Sequence, residues 1–151
     1  MKLQWNLLNC FWLILPLLAW NLVLGPRITQ KAITSDAHSP KWLLIVENVV
    51  RILVFVLPLL LPLPRSANWQ FALRTGLVVY ILGTLVYFAS WLPLILIPDS
   101  AWSASPAGLL APRLTPFLSF LGIALLGQSW PYGLLAVIFI FFHTWHGIQN
   151  L

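Results

Sequence analysis

Residues 42–64 read WLLIVENVVRILVFVLPLLLPLP, an apolar run long enough to cross a bilayer. A helix needs about 20 such residues to span hydrocarbon. Runs of this kind recur along the chain, and they leave little for water to solvate. Only 7% of the 151 residues are charged, where soluble domains carry about 25%. A chain this poor in charge cannot cover a water-facing surface. The expectation is therefore an all-α integral membrane protein, a compact single-domain bundle over 1–151 with no appended soluble domain.

The expected spans are about 3–25, 41–63, 70–97, 114–130 and 131–148. Gly25-Pro26 reads as a helix stop for the first. Ser39-Pro40 suits the N-cap and first helical position of the second. Pro58, Pro62 and Pro64 kink or end that span, and RSANWQ is a short turn to the third, whose last turn Pro93 bends. The segment 99–113 is polar and broken by proline, so it reads as an interfacial stretch between spans 3 and 4. Spans 4 and 5 are short for full crossings. Five transmembrane helices are the first reading, and four, with 114–148 as a re-entrant hairpin, the alternative.

The N-terminus has a basic residue and an apolar core but no A-x-A cleavage pattern, so it is expected to stay as a span. Trp5, Trp20, Trp42, Trp69, Trp91, Trp130 and Trp145 lie near span ends, as an interfacial aromatic belt requires. The net charge of +5 comes from eight basic and three acidic residues, scattered at span ends rather than in a run. Nucleic acid is thus not an expected partner. With five spans, Lys2, Arg65 and Arg74 fall on one side and Arg27, Lys31, Lys41 and Arg113 on the other. Four against three leaves the orientation undetermined. The expected location is a multi-pass protein of a bacterial-type inner membrane. Cys10 is alone, which rules out an internal disulfide.

Glu47, Asn48 and Arg51 interrupt span 2. Glu47 and Arg51 are four apart, on one face and in the favoured order. Arg51 lies ~15 Å along the helix, where a charge costs about 2.5–3.5 kcal/mol. A pair inside the membrane usually faces a bundle interior and marks function. Five-span parity places other polar groups at the same end: His143 and His146 on span 5, Tyr87, Ser90 and Trp91 on span 3, Thr115 and Ser119 on span 4, Asn21 on span 1, and Asp99 in the following loop. Asn6, Asn9 and Gln128 lie at the other end. The expected site is a polar pocket with Arg51 at its floor. Its ligand contacts would be Arg51, Asn48, Tyr87, Ser90 and Asp99.

Two readings stand for each feature. Glu47–Arg51 is either a lock between helices or a handler of ligand, proton or head group. His143 and His146 are either interfacial residues or acid–base groups, and with Glu47 they are the catalytic candidates. The same three could also supply a metal, but no HExxH or CxxC accompanies them, and no metal or cofactor is expected. Asp99 either caps a short interfacial helix or lies over the pocket. Gly76, Tyr80, Gly83, Tyr87 and Ser90 form one stripe on span 3, for close helix packing or for lining the pocket. No nucleophile elbow, phosphate loop or dinucleotide fingerprint is present.

The functional expectation is a bundle that binds, or acts on, a lipid-like molecule with a polar head. One alternative is a non-catalytic subunit or assembly factor with a membrane-protein partner. A third is a proton-linked transporter or channel, which five spans would require to be a homo-oligomer.

Overall fold

The computed structural model describes residues 9–32, 39–63 and 70–151, without the side chains of 26–32, 70 and 72. Lys2, Trp5, Asn6, Arg65, Trp69 and turn residues 65–69 lie outside it, as do the side chains of Arg27 and Lys31. The helices are α1 (Phe11–Ala32), α2 (Lys41–Val56), α3 (Gln70–Leu96), α4 (Pro106–Leu114), α5 (Pro116–Leu126) and α6 (Trp130–Gln149). A 3-10 turn over Leu57–Leu60 extends α2 past Pro58. Among the described residues there is no strand, only an isolated bridge between Asn9 and Pro62.

Among the described residues, four stretches are long and apolar enough to cross a membrane: Lys41–Leu60, Leu73–Leu96, Pro106–Leu126 and Trp130–Gln149. The fifth, Phe11–Gly25, is shorter over its described residues. The number of qualifying helices is thus four, and they differ from the four of the re-entrant alternative. Pro106–Leu126 and Trp130–Gln149 each have the length of a full crossing.

The expected interfacial segment is the main correction. Helix α4 begins at Pro106, inside the stretch read as too broken to span. Ser105 caps it, its Oγ accepting from the Gly108 N–H at 3.1 Å. Pro106 stands where a missing N–H costs nothing. Thr115 keeps helical angles, φ −63° and ψ −30°, between α4 and α5. Its hydroxyl also donates to the Ala111 carbonyl at 2.8 Å. Pro112 and Pro116 therefore leave Pro106–Leu126 as one continuous helical stretch rather than dividing it. Only 97–105 remains as a turn. There Ser103 is buried, with its hydroxyl 3.0 Å from the carbonyls of Pro93 and Ile97.

Two helix boundaries also differ from expectation. Helix α1 runs through Gly25-Pro26 to Ala32. A proline deletes one backbone bond, and the turns on either side still close. At the start of α2, Ser39 makes no cap, and the N-cap position is Pro40. The Ser39 hydroxyl turns instead to Oδ1 of Asn150, the residue that caps the C-terminus of α6, 3.3 Å away.

Helices α3 and α5 make the closest approach. A Cβ on Gly83 would lie 2.6 Å from the Ser119 nitrogen, and one on Gly122 would lie 2.6 Å from the Tyr80 Cα. Thr84 and Ser119 share a buried hydrogen bond of 3.2 Å across this seam. The α3 stripe thus divides: its glycines meet α5, while its tyrosines reach α1. Tyr80 donates to the Leu13 carbonyl at 2.8 Å and Tyr87 to Asn21 Oδ1 at 2.5 Å. These contacts make α1 and α3 run in the same direction.

The buried core includes Ile14, Leu17, Val54, Phe120, Ile123, Tyr132, Ala136 and Phe139. Cys10 is buried with them. On the outside, Ile45, Val49, Ile52 and Val56 of α2 and Val78, Ile81, Leu82 and Leu85 of α3 are exposed. Large apolar residues on the outer faces are what hydrocarbon, rather than water, requires of a surface.

Candidate functional site

Helices α2 and α6 run antiparallel, and Glu47 stands in their seam. Burying a carboxylate is costly unless donors surround it. Here the donors come from both helices. On its own helix, Arg51 donates through an Nη to Glu47 Oε1, forming the ion pair that the four-residue spacing allows. From α6, His143 Nδ1 lies 2.8 Å from the same Oε1, and His146 Nδ1 lies 2.6 Å from Oε2. The three-residue spacing of the histidines turns both rings to α2, one turn apart. The Glu47 side chain is 2% exposed as a result.

The surroundings fix these groups. The His143 ring stacks on Phe139, one turn earlier, with centroids 5.2 Å apart and planes at 11°. Phe139 in turn packs edge-on against Phe55 and Phe120. Toward the end of the seam, Trp42 meets Trp145 edge-to-face at 5.8 Å. Asn150 donates to the His146 carbonyl at 3.0 Å while its Oδ1 holds Ser39.

Arg51 is the exposed member. Its side chain is 41% accessible, against 24% for His143 and 12% for His146. Its other Nη donates to Asn48 Oδ1 at 3.2 Å, and Asn48 itself is exposed. Arg51 and Asn48 therefore form a polar edge on the outer side of the seam.

The expected site residues separate into three places. Glu47, Asn48, Arg51, His143 and His146 come together. Tyr87 and Ser90 do not join them. They belong to a second polar group between α1, α3 and α4, where Tyr87 holds Asn21 and Ser90 lies 3.1 Å from Thr115 Oγ1. Helix α3 turns these two residues toward α1 and the junction of α4 and α5, and their hydrogen bonds go to Asn21 and Thr115 rather than to the Glu47 cluster. Asp99 is exposed in the 97–105 turn, and the N-cap of α4 is Ser105 rather than Asp99. Instead of a pocket with Arg51 at its floor, the chain's own side chains fill the seam. A separate apolar groove of about 440 Å³ lies between α1 and α3, lined by Pro16, Trp20, Leu24, Phe88, Leu92 and Ile95.

Arg113 is the group that the sequence reading missed. By sequence alone it reads as one of the basic residues at span ends. Its side chain lies across α6 at Gly147, where a Cβ would come within 2.6 Å of its Cδ. The signal was Ser105-Pro106, the same cap pattern as Ser39-Pro40. Read as a helix start, it puts Arg113 within the fourth long helix.

The arrangement is a carboxylate with both oxygens occupied, two oriented imidazoles and a half-exposed guanidinium. Among the described residues, no group of three or more His, Cys, Asp or Glu side chains is placed to hold a metal ion. What the described residues define is a helical bundle with four helices long and apolar enough to cross a membrane and a charged cluster on one seam. The chain matches no protein-family model, no curated protein and no solved structure.

Proposed function

We propose that this chain is a multi-pass integral membrane protein that binds an anionic amphiphile from the bilayer. The head rests on Arg51 and Asn48, and the tail lies along the apolar outer stripe of α2. The observation that carries this reading is the state of Arg51. A guanidinium has five N–H donors. Hydrogen bonds to Glu47 and Asn48 take two of them, and the side chain is 41% exposed on the outer face. Helical side chains lean toward the N-terminus, which brings the guanidinium back toward the Lys41 end of α2. A charge facing hydrocarbon is costly, and an anionic head beside it lowers that cost. Ile45, Val49, Ile52 and Val56 supply the apolar track.

The test is native mass spectrometry of the protein gently purified in detergent, beside Arg51→Met. The expected result is a stoichiometric lipid-like adduct on the parent that the folded variant loses. An adduct of equal occupancy on both, or a bare parent, would sink the proposal.

A second reading is a non-catalytic subunit of a larger membrane complex. The occupied state of both Glu47 oxygens favours it, since no group is left poised for chemistry at the carboxylate. In that case the Arg51–Asn48 edge meets a carboxylate on a partner's helix, and the spectrum contains a polypeptide in place of the lipid.

A further inference from the structure

Oε1 of Glu47 collects two donors from different helices, the Arg51 guanidinium and Nδ1 of His143. A carboxylate only accepts hydrogen bonds, so the nitrogens facing Glu47 carry the hydrogens. In a neutral imidazole the other nitrogen is then an acceptor. Arg51 is the counter-ion that Glu47 already has on its own helix, so neither ring needs a second proton to hold the carboxylate.

The two rings differ in where that acceptor lies. Nε2 of His146 is buried. The His143 ring is 24% exposed, one face is covered by Phe139, and its polar contact among the described residues is through Nδ1 to Glu47. Its Nε2 is on the ring edge turned away from Glu47, and because both residues meet on one carboxylate oxygen, a single head group can span from the remaining donors of Arg51 to that nitrogen. Arg113 also lies on this side, over α6 at Gly147, and Lys41 opens α2 at the same end.

We infer that Arg51 and His143 read the head group together, and that the ligand is an anionic phosphodiester lipid whose head carries a free hydroxyl. This rests on the reading of Arg51 as a head-group contact. The guanidinium takes the phosphate oxygens. Nε2 of His143 accepts from the hydroxyl. Glu47 touches neither and acts as a positioning residue, because it fixes which imidazole nitrogen carries the hydrogen. A phosphodiester without a hydroxyl satisfies Arg51 and leaves His143 unmet.

Two probes of equal charge separate these roles: dioleoyl phosphatidylglycerol, which has the hydroxyls, and dioleoyl phosphatidylmethanol, which has none. Binding to the full chain in neutral detergent is measured by native mass spectrometry, with dioleoyl phosphatidylcholine as background. The parent should prefer phosphatidylglycerol roughly fivefold, the ratio one neutral hydrogen bond supplies. His143→Leu should bind both anionic lipids equally. His143→Gln, whose amide oxygen stands in for Nε2, should keep most of the preference. Arg51→Met should bind neither above background.

Equal, Arg51-dependent binding of both lipids by the parent would overturn the hydroxyl contact and leave the amphiphile site standing. Binding of neither above background would overturn the site itself. Water-soluble glycerophosphoglycerol should compete poorly. If it competes as well as the lipid, the occupant is a soluble phosphodiester, and the membrane source is wrong.

Discussion

His146 on α6 holds Glu47 on α2 through Nδ1 and Oε2, 2.6 Å apart, across 99 residues of sequence. The contact is the more enclosed of the two histidine bonds, with His146 12% and His143 24% exposed. A hydrogen bond to a charged group contributes about 1.5–3 kcal/mol. His146→Leu should therefore lower stability by about 2 kcal/mol, and His143→Leu by less. Thermal unfolding in detergent, followed by tryptophan fluorescence, gives the order. A larger loss for His143 would contradict the assignment.

Removing the carboxylate should cost more than removing its exposed partner. Glu47→Leu leaves Arg51 without its counter-ion and strips both imidazoles of an acceptor. Breaking a buried pair in this way costs about 3–5 kcal/mol. Arg51→Met removes a group that is 41% exposed, so solvent and neighbouring dipoles already screen part of its interaction. Its loss should be less than half that of Glu47→Leu. Denaturation midpoints of the two variants decide this, and equal losses would mean that Arg51 is as buried in function as Glu47.

The α3–α5 seam offers a test with no charge in it. Gly83→Ala puts a Cβ 2.6 Å from the Ser119 backbone nitrogen. Overpacking of this kind costs about 1–3 kcal/mol. Gly25→Ala meets nothing within 4 Å and should stabilise α1 by about 0.5–1 kcal/mol through helix propensity. The opposite signs are checked in one melting experiment. A neutral Gly83→Ala would mean that the two helices do not approach as closely as described.

Helix α1 is held by two phenolic hydroxyls. Tyr80→Phe with Tyr87→Phe removes the bonds to Leu13 and Asn21. Hydrogen exchange should then rise along 11–24 and stay unchanged at 43–54 and 139–147. A change at the Glu47 seam would show that the two polar groups are one network.

Some of this could be read from the sequence and some could not, for physical reasons. The pairing of Glu47 with Arg51 follows from helix period alone. The level of His143 and His146 follows from counting crossings. What period cannot give is rotation about the helix axis. Tyr87 and Ser90 share a level with Glu47, but the contact of Gly83 with α5 turns them toward α1 and α4. Prolines misled twice in opposite ways. Pro26 reads as a stop but lies within α1, and Pro106 reads as a break but opens α4. Ser39 and Ser105 each precede a proline, and only the second caps a helix. The first is drawn away by Asn150, a residue 111 positions distant that no local pattern reveals.

The placement of Glu47 and Arg51 on one helix has a consequence for the order in which the chain is made. Helix α2 emerges long before α6, and His143 is 96 residues away from Glu47 when synthesis reaches span 2. Until then the carboxylate has a counter-ion within its own turn, so the helix is not obliged to wait for a distant partner. The histidines arrive much later and turn a local pair into a shared one. On the membrane reading proposed above, the charged cluster is closed by α6, and a chain truncated before His143 keeps the ion pair while losing the clasp.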